Sequence, residues 1–475
     1  MWTRRHLVFA VIIFTSSLYL LSSNPHVEQV SSNLRSLTKH ASSPPSPFDS
    51  LETPNANHDT QISETTLPLG APAPGFTIFD RLYVRNGTLF AVTQHPEGYP
   101  DLIYVLSQGK NKGGPDNIDP TPREMQVITP TQAKDILGDY ATVIEGTSII
   151  LYDTSQFMAH YYHWWGEIIL GAMRIYSALS FIPGIETPLP VPSRLLLPNV
   201  PDMSWRDKAG VNGPLMHAAF PSSSIERSDY WKDLSDIDQT FVFERAMLVS
   251  RVAAHKSPLS SVWFKMISST MNVTAAVDFW EPLRRRAVQN MIGYLPMMNE
   301  AGTVMSPPTS SAPIVIYVSR QGGGRRLRKE DDEDLVNGLK ELEREGICEL
   351  HVAKMETMKF KRQIEAVARS TIMVGVHGNG LTHQIWMPPS ARSTVIEIFY
   401  PETYLHDYSM LARNMGHKHY AVWNDTTLTY PAGQWFKGVN EGTRDNFHGN
   451  SIPVHGKTVA DLVRQRLRLE VIPEF

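Results

Sequence analysis

The stretch His377-Gly378-Asn379-Gly380-Leu381-Thr382-His383 stands between two apolar runs. Two glycines this close permit positive φ and a near approach to the backbone. The stretch follows TIMVGV at 371–376, which reads as a strand. In open parallel sheets, ligands sit beyond the carboxyl ends of strands. If a helix opens at Leu381, its free N–H groups and positive dipole end suit a phosphate or diphosphate. Thr382 and His383 would add donors. Glu397, an acid inside the apolar run VIEIF, suits a ribose-hydroxyl acceptor one strand further on. A plain glycine turn, with Glu397 paired to a buried cation, accounts for the same residues.

A second stretch, SRQGGGRRLRKEDD, begins at Ser319 and places Arg320 at the end of the run IVIYVS, with Arg325, Arg326 and Arg328 behind it. Guanidinium groups bind phosphate in a fork, so Arg320 and Arg325 are candidate diphosphate ligands. The more distal arginines also fit a solvated turn balanced by the acidic run that follows. A third stretch, HYYHWWGE, opens at His160. On a helix, His163, Glu167 and Arg174 share one face. A His–carboxylate pair in a cleft can act as a general base, and a buried His–Glu–Arg structural network is the alternative. His160, His163 and Glu167 could be imagined around zinc, but His-Glu-x-x-His is absent and no metal site is expected.

These residues need elements to hold them. The run 160–181 is apolar almost all round, which predicts a mostly buried helix. Before it, 88–92, 101–106 and 147–152 read as strands, and after it 193–198 and 245–250 do so too. Residues 278–295 read as a helix and 301–313 as a linker. From 314 the order is strand 314–319, helix 332–345, strand 348–353, helix 358–370, strand 371–376 and strand 394–399. Alternation of this kind with near-continuous apolar strands predicts a parallel, doubly wound α/β sheet. A closing helix is expected over 456–471. The predicted bodies are 76–300 and 314–455, with a closing segment at 456–475.

Apolar residues make up 42% and charged residues 19% of the 475 residues, which are globular values. A formal charge of −4 argues against a nucleic-acid binder. The single cysteine, Cys348, excludes an intrachain disulfide. Residues 1–6 carry Arg4 and Arg5 ahead of an uncharged run at 7–23. That pattern reads as a signal anchor with a cytosolic tail rather than a cleaved signal peptide. The Ser-, Pro- and Thr-rich stretch 24–75 reads as a disordered stem. A lumenal body would make Asn86, Asn272 and Asn424 glycan acceptors by their Asn-x-Thr sequence.

Over residues 150–420, the segments HYYHWWGEIILGA, YVSRQGGGRRLRKEDD and VGVHGNGLTHQIWMPPSARSTVIEIFYP, in this order, resemble glycosyltransferase family 61. The resemblance implies a GT-B fold, in which two Rossmann-like domains face a cleft and the C-terminal one binds the donor. It also implies an anchored Golgi or endoplasmic reticulum enzyme that moves xylose, N-acetylglucosamine or a related sugar from a UDP-sugar. The expected acceptor is a hydroxyl of a glycan or glycoprotein, with inversion and no required cofactor or metal. Arg320 then corresponds to the diphosphate arginine. His377, Gly378, Gly380, Leu381 and Thr382 form the donor loop, and Glu397 the ribose contact. His163 is the helix histidine, with Glu167 where aspartate is frequent. Asn379 stands where a small residue is common. Either Glu167 or His163 oriented by Glu167 is the expected base. A non-catalytic nucleotide-sugar or glycan binder on the same scaffold is the rival reading. A serine hydrolase lacks its Gly-x-Ser-x-Gly elbow.

Overall fold

In a computed structural model, residues 59–109, 118–431, 433–438 and 447–468 are described. The expected tail, the anchor at 7–23 and the stem up to 58 lie outside them. Among the described residues, no helix is long and apolar enough to cross a membrane.

The fold is mixed α/β and carries two sheets. The first is built from β1 (Asp59–Gln61), β2 (Phe76–Arg85), β3 (Thr88–Val92), β4 (Met125–Ile128), β5 (Tyr140–Leu151), β6 (Arg194–Leu196), β7 (Ser224–Glu226) and β8 (Phe241–Val249). Their order is β4-β3-β2-β8-β5-β6-β7, with β1 antiparallel to β5. The second holds β9 (Ile314–Val318), β10 (Glu349–Ala353), β11 (Ser370–Val376), β12 (Thr394–Ile398), β13 (Lys418–Trp423) and β14 (Thr426–Leu428). Its order is β10-β9-β11-β12-β13-β14, parallel up to β13. Every residue of β9, β11 and β12 is buried, as their unbroken apolar sequence demands of strands covered on both faces.

The crossover helices lie on opposite faces of the second sheet. Lys329–Arg344 buries Leu335, Leu339 and Leu342 against Val459 and Val463 of the closing helix Gly456–Leu467. Phe360–Ala368 buries Ile364 and Val367 in a core that it shares with Trp164, Trp165 and Trp386. Phe76 and Ile149 of the first sheet and Ile316 and Met373 of the second join that core. The order along the second sheet reverses between β9 and β11. In doubly wound sheets that reversal opens a crevice at the carboxyl ends of the two strands.

Two expectations fail locally. Residues 59–75, read as stem, are ordered. β1 pairs with β5, and Thr65 and Ala73 are buried. Backbone pairing orders this stretch, and that leaves no apolar period in its sequence. Residues 101–106 are not a strand. The Asp101 carboxylate accepts the Ile103 N–H and caps a single 3₁₀ turn, Leu102–Tyr104.

Buried imidazoles give the fold a pH dependence. His383 is neutral between the Tyr161 hydroxyl and the Gln363 side-chain oxygen. His417 bonds the Gln384 carbonyl. Burial lowers both to about 4 from 6.5. Between these values the unfolded chain holds more protons than the folded one. The stability they contribute is therefore present above 6.5 and lost as pH falls toward 4. The melting temperature should fall from pH 7 to pH 5 in scanning calorimetry. A flat or rising profile would refute this.

Candidate active site

Arg320 follows β9 and His377 follows β11, so both stand at the carboxyl ends of the strands where the sheet order reverses. Arg320 Nη1 donates to the His377 carbonyl at 2.6 Å, and Arg325 Nη1 donates to the same oxygen at 2.8 Å. Arg325 also bonds the His448 ring and lies 4.6 Å over Phe447. Among the described residues, neither arginine has a carboxylate within ion-pair distance. Burial lowers both, Arg325 further through the charge of Arg320. Two converging guanidiniums without a counter-ion form a site for a polyanion.

Gly378 has φ +150°, and a Cβ there would fall 1.6 Å from Arg320 Nη1. Only glycine lets the arginine reach the carbonyl. Gly380 meets Val318 in the same way, at 2.9 Å. The helix that follows is 3₁₀ and spans Asn379–Trp386, so it opens two residues before the expected Leu381. Leu381 is a core residue, and its N–H is already bonded to the Gly378 carbonyl. Thr382 is buried, with its hydroxyl 3.3 Å from the Asn379 side-chain oxygen.

Glu397, expected as a ribose acceptor, is enclosed by two histidines. It is fully buried, and one oxygen is held by His377 Nδ1 and the other by His419 Nε2, at 2.7 Å from the latter. Burial raises Glu397 well above the usual carboxyl range and lowers both histidines. The triad therefore fixes the His377 ring, which also contacts Phe399 and Tyr408 at 5.1 Å each. Glu397 acts on the loop through that ring.

The helix run 160–181 is π-helical over Tyr162–Ile169 and α-helical over Leu170–Ser177. π turns are rare and concentrate at functional sites. Glu167 is fully buried there, and each oxygen has a donor. Oε2 accepts from His163 Nδ1 at 2.5 Å and from Arg251 Nη2 at 2.8 Å, while Oε1 accepts the Met266 N–H at 2.8 Å. Burial alone would raise this carboxyl. The nearby Arg251 and His163 outweigh it and hold Glu167 well below the usual range. Such a carboxylate accepts no proton near neutrality. In the neutral ring this contact places the proton on Nδ1 and leaves Nε2 as the acceptor. The His163 side chain is 23% exposed, so it is the group of the pair that a substrate can touch.

Arg174 does not join this pair. It bonds the Thr270 and Val273 carbonyls and the Asn414 side chain. His160 lies 4.8 Å from His163, ring to ring. Among the described residues, no group of three His, Cys, Asp or Glu could hold a metal ion.

Hydrogen bonds join the two halves, and Tyr161, whose hydroxyl meets His383 Nδ1 and accepts from Trp386 Nε1, makes two of them. The Tyr162 N–H donates to Asn379 Oδ1 at 3.2 Å. The rings of His163, Tyr162, Tyr408 and His377 form a chain with centroids 5.1–5.5 Å apart. Lys265 is almost fully buried, pairs with Asp407 at 3.0 Å and lies 5.9 Å over Tyr162.

Arg251, Lys265, Asp407 and Tyr408 escape sequence reasoning. Arg251 alone leaves a signal. It closes Val249-Ser250-Arg251 after β8, as Arg320 closes Val318-Ser319-Arg320 after β9. Asn86, Asn272 and Asn424 are all exposed. Asn86 and Asn424 have positive φ in turns, a conformation asparagine tolerates with or without a glycan.

A family model described as Glycosyltransferase 61 matches residues 161–396. That span begins at the helix that carries His163 and ends beside Glu397. No curated protein matches the chain.

Proposed function

The chain belongs to glycosyltransferase family 61, and on that premise we propose that it moves a sugar from a UDP-sugar to a hydroxyl of a glycan or glycoprotein, with inversion. The sugar is of the xylose or N-acetylglucosamine class. The two sheets serve as the halves of a GT-B architecture, the second of which receives the donor. The Tyr162–Asn379 hydrogen bond carries this reading, because it ties the helix that presents His163 to the loop on which Arg320 and Arg325 converge.

His163 Nε2 takes the proton of the acceptor hydroxyl as that oxygen bonds the anomeric carbon. Glu167 stabilises the imidazolium that forms. On the opposite face the bond from the anomeric carbon to the UDP oxygen breaks, and UDP leaves with the electron pair. Arg320 and Arg325 stabilise the growing diphosphate charge, the part a divalent cation plays in other transferases. The arginines ahead of the apolar run 7–23 support a single-pass placement in the Golgi or endoplasmic reticulum membrane, with a lumenal body.

The test is UDP release from a panel of UDP-sugars and acceptors, with the product's anomeric configuration read by NMR. One donor should release UDP in an acceptor-dependent way. Silence across the panel overturns the enzymatic reading in favour of a nucleotide-sugar binder, and a retained configuration overturns inversion.

A further inference from the structure

A cleft of about 800 Å³ lies at the other edge of the second sheet, away from the arginine pair. Lys418, in its wall, is the first residue of β13, and Ser390 and Ala391 precede β12. Arg320 and His377 instead follow the carboxyl ends of β9 and β11. His419, in the cleft wall, bonds Glu397 of the triad, but neither Arg320 nor Arg325 lines the cleft.

Arg174, Arg413, Lys418 and Arg466 line this cleft, and among the described residues no Asp or Glu does. Among the described residues, the guanidiniums are held by neutral acceptors only. Arg466 bonds the Thr394 hydroxyl at 2.8 Å and the Ala391 carbonyl at 2.6 Å. Arg413 bonds the Gln434 carbonyl, and Arg174 bonds two carbonyls and an amide. Burial lowers all four cations, and Arg466 and Arg413 further lower Lys418. In a chain of net charge −4, four crowded cations without an acid need a reason. An anion from solution supplies one.

The rest of the wall describes the anion. Trp435 and Tyr430 are half-buried at the cleft, Trp263 packs 4.8 Å from Trp435, and the Arg413 guanidinium lies 3.8 Å over the Trp435 ring. The volume far exceeds that of an inorganic ion and falls in the range of organic-ligand sites, about 300–1,000 Å³. Aromatic faces beside fixed cations match a sugar ring that bears an acid.

We propose that this cleft binds an acidic saccharide, its carboxylate or sulfate ester on Lys418 and Arg466 and its ring on the Trp435–Tyr430 wall. The saccharide part rests on the glycosyltransferase reading. The ligand is a glycan unit distinct from the UDP-sugar donor.

Intrinsic tryptophan fluorescence of the full chain, titrated with D-glucuronate, D-glucose 6-sulfate, D-glucose and sodium sulfate, tests this. Saturable quenching is expected with glucuronate or glucose 6-sulfate, and whichever binds tighter identifies the acid. Glucose and sulfate should bind at least tenfold more weakly. Lys418→Gln removes a charge that makes no hydrogen bond among the described residues, so the fold should persist, and it should weaken the acidic sugar about tenfold. Higher salt should weaken it as well. Binding of neither acidic sugar, equal binding of glucose, or unchanged affinity in Lys418→Gln overturns the proposal. Sulfate as tight as the sugars reduces the cleft to an adventitious ion only. Calorimetric titration with UDP separates this from the donor assignment. Unchanged UDP affinity in Lys418→Gln keeps the two sites apart, and its loss would place the nucleotide here. If wild type binds the acidic sugar but no UDP, the cleft stands and the donor assignment falls.

Discussion

His163→Ala is expected to lower turnover by about 10²–10⁴-fold and to leave UDP affinity unchanged. The reasoning starts from Glu167. A carboxylate with three donors and no exposed surface lies out of a substrate's reach. Its charge is committed to Arg251 and to the Nδ1 proton of His163. The bare Nε2 is what remains to take a proton. Truncating His163 removes that nitrogen, but Glu167 keeps Arg251 and Met266, so no buried charge is orphaned. Glu167→Gln is a poorer test, because its amide would face Arg251 and unsettle the site. Single-turnover measurement with a preferred donor, beside UDP calorimetry, reads the two effects apart. Near-wild-type turnover in His163→Ala removes the residue from the base role. Equal loss of UDP binding would make it a donor contact instead.

Arg320→Ala is expected to cost about 10²–10³-fold in kcat/KM, the usual loss when one donor to a developing oxyanion is removed. UDP affinity should fall as well, since the diphosphate is present in the ground state. Thermal stability should hold or rise. Arg320 is largely buried beside a second cation, without a carboxylate. A structural arginine lost from an ion pair would lower the melting temperature. An arginine kept for a ligand despite its repulsion would not. Arg320→Lys keeps the charge and loses the fork, so it should recover only part of the UDP affinity. A destabilised Arg320→Ala protein with wild-type UDP affinity would return Arg320 to a structural role.

Much of the second sheet was legible in the sequence. β9, β11 and β12 are covered on both faces, and such strands must be apolar at every position, which leaves an unbroken run to read. The stretch 101–106 has the same look but turns early, because Asp101 offers the backbone a local cap. Residues 59–75 carry no period, because backbone hydrogen bonds to β5, β3 and β2 order them more than a periodic apolar face does. The loop after β11 was legible through its glycines. Its helix was misplaced by two residues, since 3₁₀ and α starts look alike in a sequence.

The composition of the site, two arginines, a histidine, a glycine loop and a His–Glu pair, was set by sequence, because strand ends and helical spacing are local properties. Which partners those residues take was decided only by the tertiary structure. Glu167 meets Arg251 across 84 residues, and Tyr162 meets Asn379 across 217. Glu397, expected on a ribose, is enclosed by two histidines, and Arg174, expected beside Glu167, serves the opposite cleft. Periodicity records whether a side chain is buried. It carries no record of which distant group arrives to meet it, and at a buried charge that partner decides the chemistry.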